Sequence, residues 1–414
     1  MGLGPSIKMT TLHHYRCPLV EVATKDSDIE IVGIIVSGVS ESYDDKVYSA
    51  KRVGDIAKTL QVDGALVAID GWGNHHIDFV NIIENLGKND ISSIGLSFIG
   101  LQGRLVCTNQ YIDCIIDTNK GTTGYESCMV GENNLTDYDA KKAVAILKNK
   151  LSKRQRLNNI NSNKELRVGK LTKKVFTINE VAFGEKTELI NNKLIIRKNI
   201  ARTFISFDKR IKQIKVNIIK PHEHNIFVNS NLDCMPIACK YSGELGEGIT
   251  HELDGVTVMI TGVEIGTGYQ PANIGSSEGV LKDRVYFDRA GTPGTSDYII
   301  HIDFSFFDGE GRTADGVIGA HRLVDLIVQE IRDVLVKVDN IPYKKYEYYD
   351  VRKPDKAKVV IVKIVSGLGN MYDTVLFPLE PGGILGGRNI RDSRNLPYVI
   401  SVNQCRDGVI HSLL

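Results

Sequence analysis

Three apolar runs, each the length of one β-strand, constrain the fold of the first part of this chain. They lie at Glu30–Val39, Gly64–Ile69 and Ile91–Ile99 and are rich in Val, Ile and Ala. A strand that is apolar on every side is buried on both faces. Between the runs, apolar residues recur at helical spacing in residues 47–60 and 77–86. This βαβαβ order predicts a parallel sheet with right-handed crossovers, an α/β fold.

The second part of the chain opens with shorter strand patterns, separated by Asn, Gly and Lys. These strand-like runs are 175–183, 193–197, 214–219, 256–263 and 298–306. A strong helix follows, with its apolar stripe at Ala320, Leu323, Val324, Ile327, Val328, Ile331, Val334, Leu335 and Val338. Two more buried strands are predicted at Val359–Val365 and Tyr398–Val402. This part is therefore predicted to be α+β running into α/β.

A basic, polar stretch separates the two parts. Lys148–Lys174 has ten Lys and Arg residues, one acidic residue and no aromatic residue. A nucleic-acid surface would combine basic residues with aromatic ones on a folded face, so a solvated linker is the favoured interpretation. We therefore predict block one at residues 1–150, a linker at 151–170 and block two at 171–414.

Composition excludes several classes of protein. The chain of 414 residues carries 51 Lys and Arg against 50 Asp and Glu, a balance that predicts neither a nucleic-acid nor a membrane-surface partner. No apolar run approaches the length of a membrane-spanning helix, and Met1–Met9 lacks the apolar core of a signal peptide. Seven scattered Cys, an odd number, fit a reducing compartment, so a cytoplasmic location is expected.

The loop after the second predicted strand is the densest group of reactive side chains. It contains Asp70, Asn74, His75, His76 and Asp78. Ligands of open parallel sheets bind outside the carboxyl ends of the strands, where this loop lies. Paired His and carboxylate groups can exchange protons near neutral pH. In the alternative interpretation, Asp70 and Asn74 cap the next helix and the histidines fill polar gaps.

Two glycine-rich segments of block two offer further candidates. Residues 243–250 contain Glu244, but their spacing fits neither a dinucleotide fingerprint nor a P-loop. Residues 275–279 contain Ser276, Ser277 and Glu278, which together can present hydroxyls and a carboxylate from one turn. For both segments the alternative is a tight turn with no further role.

Other His and Cys residues give weaker indications. His321 and Arg322 lie at the predicted start of the strong helix, where they can face an anion. His222 and His224 share a face, but no further ligand is near in sequence, so no metal site is predicted. The cysteines lack the C-x-x-C spacing of a redox or zinc pair and are expected to be buried, inert thiols.

Several long segments of the chain match one family. In block two these are Leu171–Lys174, Gly243–Thr250, Gly275–Gly279, Gly319–Arg322, Gln329–Arg332 and Gly408–His411. In block one they are Gly4–Ser6, Tyr43–Lys51, Val62–Gly64, Gly73–Phe79, Gly103 and Asp117–Lys120. Together they resemble the two halves of the D-proline reductase proprotein family. The glycine reductase substrate-binding component is a more distant relative of the same kind.

Two departures from that family matter. The resemblance implies that the halves are fused here in reversed order, so we expect them to dock as a circularly permuted core with adjacent chain ends. In the family the halves meet at a cysteine that is cleaved and becomes a pyruvoyl group. That position falls at Gly2, behind the initiator methionine. Glycine has no side chain to attack the preceding carbonyl, so no pyruvoyl cofactor is expected.

The resemblance implies a role in dithiol-dependent reduction of D-proline to 5-aminovalerate, a reaction of amino-acid fermentation. We expect an unprocessed subunit or accessory protein that assembles with reductase subunits, including a selenoprotein component, as a hetero- or homo-oligomer. Whether the chain itself turns over substrate is left open. The alternatives are a non-catalytic scaffold, a small-molecule-binding protein, or a glycine reductase-type component. The loop from Asp70 to Asp78 is expected to line the main pocket with Glu244, Ser276 or Glu278 from block two.

Overall fold

The computed structural model describes residues 16–69, 74–98, 100–122, 129–154, 164–264, 278–311, 313–365, 374–377, 380–381, 383–390 and 392–412. The α-helices are α1 (Pro18–Lys25), α2 (Tyr43–Thr59), α3 (His75–Lys88), α4 (Asp137–Lys153), α5 (Ile200–Phe204), α6 (Ala314–Leu335) and α7 (Val402–Arg406). A short 3₁₀ helix, Gly100–Leu105, follows the third strand.

The strands of block one are β1 (Ile29–Gly38), β2 (Gly64–Ile69), β3 (Ser92–Ser97) and β4 (Ile115–Asp117). The next are β5 (Leu166–Thr177), β6 (Glu180–Gly184), β7 (Glu188–Ile190), β8 (Lys193–Arg197), β9 (Ile211–Ile219), β10 (Phe227–Val228), β11 (Ser230–Met235), β12 (Ala238–Ser242) and β13 (Gly248–Asp254). The last are β14 (Val256–Glu264), β15 (Gly279–Val280), β16 (Tyr298–Phe306), β17 (Lys344–Arg352), β18 (Ala357–Val365), β19 (Thr374–Leu376), β20 (Arg388–Asn389), β21 (Tyr398–Ile400) and β22 (Ile410–Ser412).

The largest sheet has the strand order β21-β1-β18-β2-β3-β4. Its strands are parallel except β21, which runs antiparallel to β1. The chain order β1-α2-β2-α3-β3 confirms the predicted α/β arrangement of block one. The sheet is not built from block one alone, because β18 lies between β1 and β2. The strands near 359–365 and 398–402 pack beside residues 31–39, as expected. The prediction that the second of them is buried is wrong, because β21 is the edge strand and Val399 is 46% exposed.

The apolar character of β18 explains its central place. Every residue from Val359 to Val365 is buried, so the strand needs partners on both edges and cover on both faces. One face of the sheet packs against α1 and α4, and the other against α2 and α3. The first of these cores joins Ile34 of block one to Ile361 and Ile400 of block two. The two blocks therefore share one core, as expected, whereas the circular permutation itself stays a prediction.

Helix α4 and strand β5 lie at the ends of the predicted linker. Thr136 and Asp139 form a capping box that starts α4, with the Thr136 amide donating to Asp139 Oδ2 at 3.0 Å. The helix runs to Lys153, and β5 begins at Leu166. Both ends of the stretch 151–170 thus belong to regular elements.

In block two, α6 covers one face of the four-stranded sheet β11-β14-β16-β9. The predicted apolar stripe is confirmed, since Leu323, Ile327 and Ile331 are buried in one core with residues of β14 and β16. A second four-stranded sheet has the order β12-β13-β5-β17, and the remaining described strands form small sheets. None of the helices described here is long and apolar enough to cross a membrane.

Candidate functional site

Helices α2 and α3 both begin at the carboxyl edge of the large parallel sheet, because each follows one of its strands. Lys46 lies near the start of α2 and Asp78 near the start of α3, and both are buried. Lys46 Nζ donates a hydrogen bond to Asp78 Oδ2 at 2.5 Å. Packing of the two helices thus places an ion pair inside the protein at the edge where ligands of such sheets bind.

The carboxyl group of Asp78 has a strongly shifted pKa. Burial raises this pKa to about 6, against the opposing effects of the Lys46 ammonium and of a hydrogen bond from the Ser40 backbone. Burial is the larger effect because the charged form loses its water. Asp78 therefore exchanges its proton near neutral pH, a property suited to an acid or a base.

His76 lies two residues before Asp78 and is buried. Burial lowers its pKa to about 4, so its imidazole is neutral at physiological pH. Its Nδ1 atom has no hydrogen-bond partner among the described residues. The ring packs beside Phe79, with 5.3 Å between ring centroids, and against Gly103. A Cβ atom on residue 103 would lie 2.3 Å from His76 Cε1, so this contact requires glycine.

We call Lys46, His76 and Asp78 the edge cluster. It combines a neutral imidazole, a carboxyl group that titrates near neutral pH and a buried ammonium group. Groups with separated pKa values can divide the roles of proton donor and acceptor when they face one site. His76 and Asp78 lie two residues apart on α3, and no described contact joins them. Of the predicted site, His76 and Asp78 are buried in the first turn of α3 and His75 is half-buried, whereas Asp70 lies outside the described residues.

The helix-capping alternative fails for one of its residues. Asn74 occupies the N-cap position of α3, but its side chain makes no capping hydrogen bond. His75 is half-buried in the first turn of the same helix. Gly2, Ser276 and Ser277 lie outside the described residues, so their relation to the edge cluster stays a prediction.

The glycine-rich segment 243–250 comprises the turn between β12 and β13 (243–247) and the first residues of β13, and it docks on the end of α7. Asp407 accepts hydrogen bonds from the Gly246 backbone (2.8 Å), from Lys240 Nζ (2.7 Å) and from Thr250 Oγ1 (2.6 Å). Gly246 has a positive φ of 92°, and a Cβ there would lie 2.6 Å from Gln404 Cγ. Glu244 is exposed in this turn, and no described contact joins it to the edge cluster. These contacts favour the turn interpretation of the segment.

Glu278 directly precedes β15 and is half-buried. Its Oε2 atom is buried and has no hydrogen-bond partner in the described part of the chain. Glu278 lies next to the undescribed Ser276 and Ser277, and no described contact joins it to the edge cluster.

The anion prediction for His321 and Arg322 is wrong. Helix α6 begins at Ala314, capped by Thr313, so both residues lie about two turns inside it, away from the positive end of the dipole. The apolar stripe that predicted this helix begins only at Ala320, after Gly316 and Gly319. The first two turns of α6 were therefore not predicted. Arg322 is exposed, and His321 is fully buried.

His321 belongs to a second buried group, which we call the Asp233 cluster: Asp233, His321 and His411. Asp233 Oδ2 lies 2.7 Å from His411 Nε2 and 3.4 Å from His321 Nε2, and its Oδ1 accepts the Cys234 amide. Burial opposes ionisation of Asp233, but the two imidazoles outweigh it and hold its pKa below the ordinary range. The cluster ties β11, α6 and β22 together.

Sequence reasoning missed Lys46, Asp233 and His411. For Lys46 a signal existed, because it falls in helical register with the buried residues Ala50, Val53 and Ala57. A lysine in such a register marks a buried cation that needs a partner. No comparable pattern marks Asp233 or His411. Among the described residues, no three His, Cys, Asp or Glu side chains converge to hold a metal ion.

Comparisons with known proteins place these features in a family context. The family model for glycine/sarcosine/betaine reductase component B subunits matches residues 3–112 and 169–277, together more than half of the chain. No solved structure shows significant similarity to this chain.

Three curated relatives are similar to parts of the chain. The D-proline reductase proprotein PrdA of Acetoanaerobium sticklandii is 36% identical over 245 residues, 59% of this chain and 39% of the relative. The sarcosine reductase complex component B subunit alpha of Peptoclostridium acidaminophilum is 31% identical over 80 residues, 19% of each chain. The betaine reductase complex component B subunit alpha of that organism is 35% identical over 94 residues, 22% of this chain and 21% of the relative. The matches thus span less than half of each relative.

Proposed function

Because this chain belongs to the family of glycine/sarcosine/betaine reductase component B subunits, we propose that it serves a dithiol-dependent D-proline reductase system as an unprocessed subunit or accessory protein without a pyruvoyl group. The system would open the ring of D-proline reductively to 5-aminovalerate. One observation carries the proposal: the chain is 36% identical to a D-proline reductase proprotein over 245 residues. The expectation that Gly2 takes the place of the processing cysteine adds the absence of a pyruvoyl group.

Gly2 does not fit the chemistry that would form a pyruvoyl group. Self-cleavage needs a side-chain thiol or hydroxyl to attack the preceding carbonyl, and glycine has neither. No catalytic step is therefore assigned to a pyruvoyl group in this chain. Any electrophile that activates the substrate would come from a partner subunit.

The edge cluster supports a part in proton handling. Reductive ring opening consumes protons as well as electrons. Asp78 exchanges its proton near pH 6, and His76, two residues earlier on α3, stays neutral. In this proposal the cluster binds a small substrate or product and holds a proton for it, while the selenoprotein component of the system supplies the reducing chemistry.

Two alternatives come from different classes. A non-catalytic scaffold or small-molecule-binding protein needs only the shared core of the two blocks. A glycine reductase-type component is favoured by the family model and by the sarcosine and betaine reductase relatives.

Mass spectrometry and turnover assays test the proposal. The intact mass should equal that of one uncleaved chain, and hydrazide should label no carbonyl group. D-proline should be consumed with a dithiol only when partner reductase subunits are present, and His76→Gln or Asp78→Asn should reduce that rate. Lys51→Met, an exposed change on α2, is the matched control.

Each alternative predicts a different result. A labelled or cleaved chain, or turnover by the chain alone, would contradict the accessory role. Stimulation of glycine, sarcosine or betaine reduction in place of D-proline reduction would favour the glycine reductase-type component. No effect on any of these reactions would leave the scaffold interpretation.

A further inference from the structure

The sheet β11-β14-β16-β9 has a second face, opposite α6, that carries a row of polar side chains. Side chains alternate along a strand, so Ile300 and Ile302 pack toward α6 while His301 and Asp303 point the other way. A groove of about 310 Å³ lies over this row. That volume suits a small molecule. The groove lies on a different sheet from the edge cluster.

Asp303 forms the polar floor of the groove. Its Oδ1 atom accepts hydrogen bonds from Asn229 Nδ2 at 2.8 Å and from Thr261 Oγ1 at 2.7 Å. Its Oδ2 atom has no hydrogen-bond or ion-pair partner among the described residues. The two donors fix the plane of the carboxylate, so Oδ2 is a positioned acceptor that is left for a ligand.

The charge of the floor selects a cation. His301 is buried beside Asp303, with Nε2 2.7 Å from Thr261 Oγ1, and burial lowers its pKa, so it is neutral at physiological pH. Lys215 stands opposite Asp303 in the strand register but forms no ion pair with it in the described structure. A divalent metal is disfavoured because no three ligating side chains converge in the described part of the chain.

We propose that this groove binds a small organic ammonium compound through an N–H group that donates to Asp303 Oδ2. The ring of Phe227 lines the same groove and is 67% exposed, so it is available for a cation–π contact with the ligand. Ile226 lines the same groove beside the expected carbon chain. Lys215 is the cation available to a carboxylate at the far end of a longer ligand. This inference does not depend on the proposed function.

Calorimetric titration of the full chain tests the inference. The probe is n-butylammonium, with butyltrimethylammonium as a cation that lacks N–H groups and butyrate as an anion of similar size. We expect n-butylammonium to bind more tightly than both. Because a hydrogen bond to a charged group is lost, Asp303→Asn should weaken its affinity about 10- to 100-fold. Asp308→Asn, an exposed change after β16, should leave the affinity unchanged.

A second variant separates binding from folding. Phe227→Ala alters an exposed ring, so it should fold normally and weaken n-butylammonium about 2- to 5-fold. Three results would overturn the site: no binding of n-butylammonium, equal binding of butyrate, or unchanged affinity in both Asp303→Asn and Phe227→Ala. The calorimetric titrations use the chain alone, so they test this site even if the reductase assays fail.

Discussion

The edge cluster and the Asp233 cluster each bury a carboxylate, but the pKa values of the two carboxylates shift in opposite directions. Both place a carboxylate inside the protein beside His or Lys side chains. Asp78 has a pKa raised to about 6, whereas Asp233 has a pKa held below the ordinary range. Burial opposes ionisation in both, so the difference comes from the neighbouring charges and the hydrogen-bond donors around each carboxylate.

The donors differ in number and position. Asp233 accepts bonds from His411 and from the Cys234 amide and faces His321 with the same oxygen that His411 contacts. Asp78 accepts hydrogen bonds from Lys46 and from the Ser40 backbone. Both oxygens of Asp233 are engaged and the residue joins three elements, so we expect a structural role for it. Chemistry at the edge cluster remains part of the proposed function.

The largest expected effect is on stability, in the Asp233 cluster. Asp233→Asn removes the charge that holds two buried imidazoles, and it should lower the free energy of unfolding by about 3–5 kcal/mol. Urea denaturation at neutral pH measures this, with the exposed Asp308→Asn as control. A loss of under about 1 kcal/mol would contradict the structural role, because surface changes cost about that little.

The edge cluster should show opposing pH effects. The pKa of Asp78 is raised from 3.8 to about 6 on folding, so the folded state holds more protons in that window and stability falls as pH rises through it. The pKa of His76 is lowered from 6.5 to about 4, so stability rises with pH over nearly the same window. Each effect amounts to about 3 kcal/mol, and in the unmodified protein they nearly cancel.

Single variants should reveal the pH dependence of stability that Asp78 and His76 each contribute. Asp78→Asn should be most destabilising near pH 4, where the native Asp78 contributes most, and less so near pH 6.5. His76→Gln should show the reverse order. Urea denaturation at several pH values measures both, and Lys51→Met should follow the unmodified protein. If both variants changed with pH in the same direction, the assignment of separate acid and base roles would be wrong.

The sequence predicted which segments form strands of the parallel sheet better than it predicted which strands lie next to one another. The runs that became β1, β2, β3 and β18 were recognisable because fully apolar strands must be buried. Periodicity contains no information on order across a sheet. The resemblance and the burial of the strand placed β18 beside β1, but its insertion between β1 and β2 was not predicted. The first two turns of α6 were missed because glycines interrupt its apolar stripe.

The site was predicted only in part, because sequence patterns show residues that are close in sequence but not contacts between distant elements. His76 and Asp78 were visible as a dense polar loop after a buried strand. Lys46 was not recognised, because its contact with Asp78 joins two helices that are separate in sequence. His321 was placed in the wrong group, since its partners Asp233 and His411 come from distant strands.

The smallest expected effect concerns the contact that keeps His76 buried. In Gly103→Ala the new Cβ would lie 2.3 Å from His76 Cε1, so the imidazole must move. Such overpacking should cost about 1–3 kcal/mol of unfolding free energy. A ring displaced toward water should also regain a pKa closer to 6.5, because burial alone lowers it. The His76 part of the pH dependence should then shrink.

Proton NMR titration of the histidine Cε1–H signals, together with urea denaturation, measures both effects of Gly103→Ala. Gly33→Ala is the matched control, because its Cβ would meet Ile400 O at an ordinary 3.4 Å. If Gly103→Ala left the His76 titration and the unfolding free energy unchanged, the ring would not depend on this contact. The edge cluster would then owe its low imidazole pKa to the sheet and helices alone, and its difference from the Asp233 cluster would rest on the charges and hydrogen-bond donors around each carboxylate.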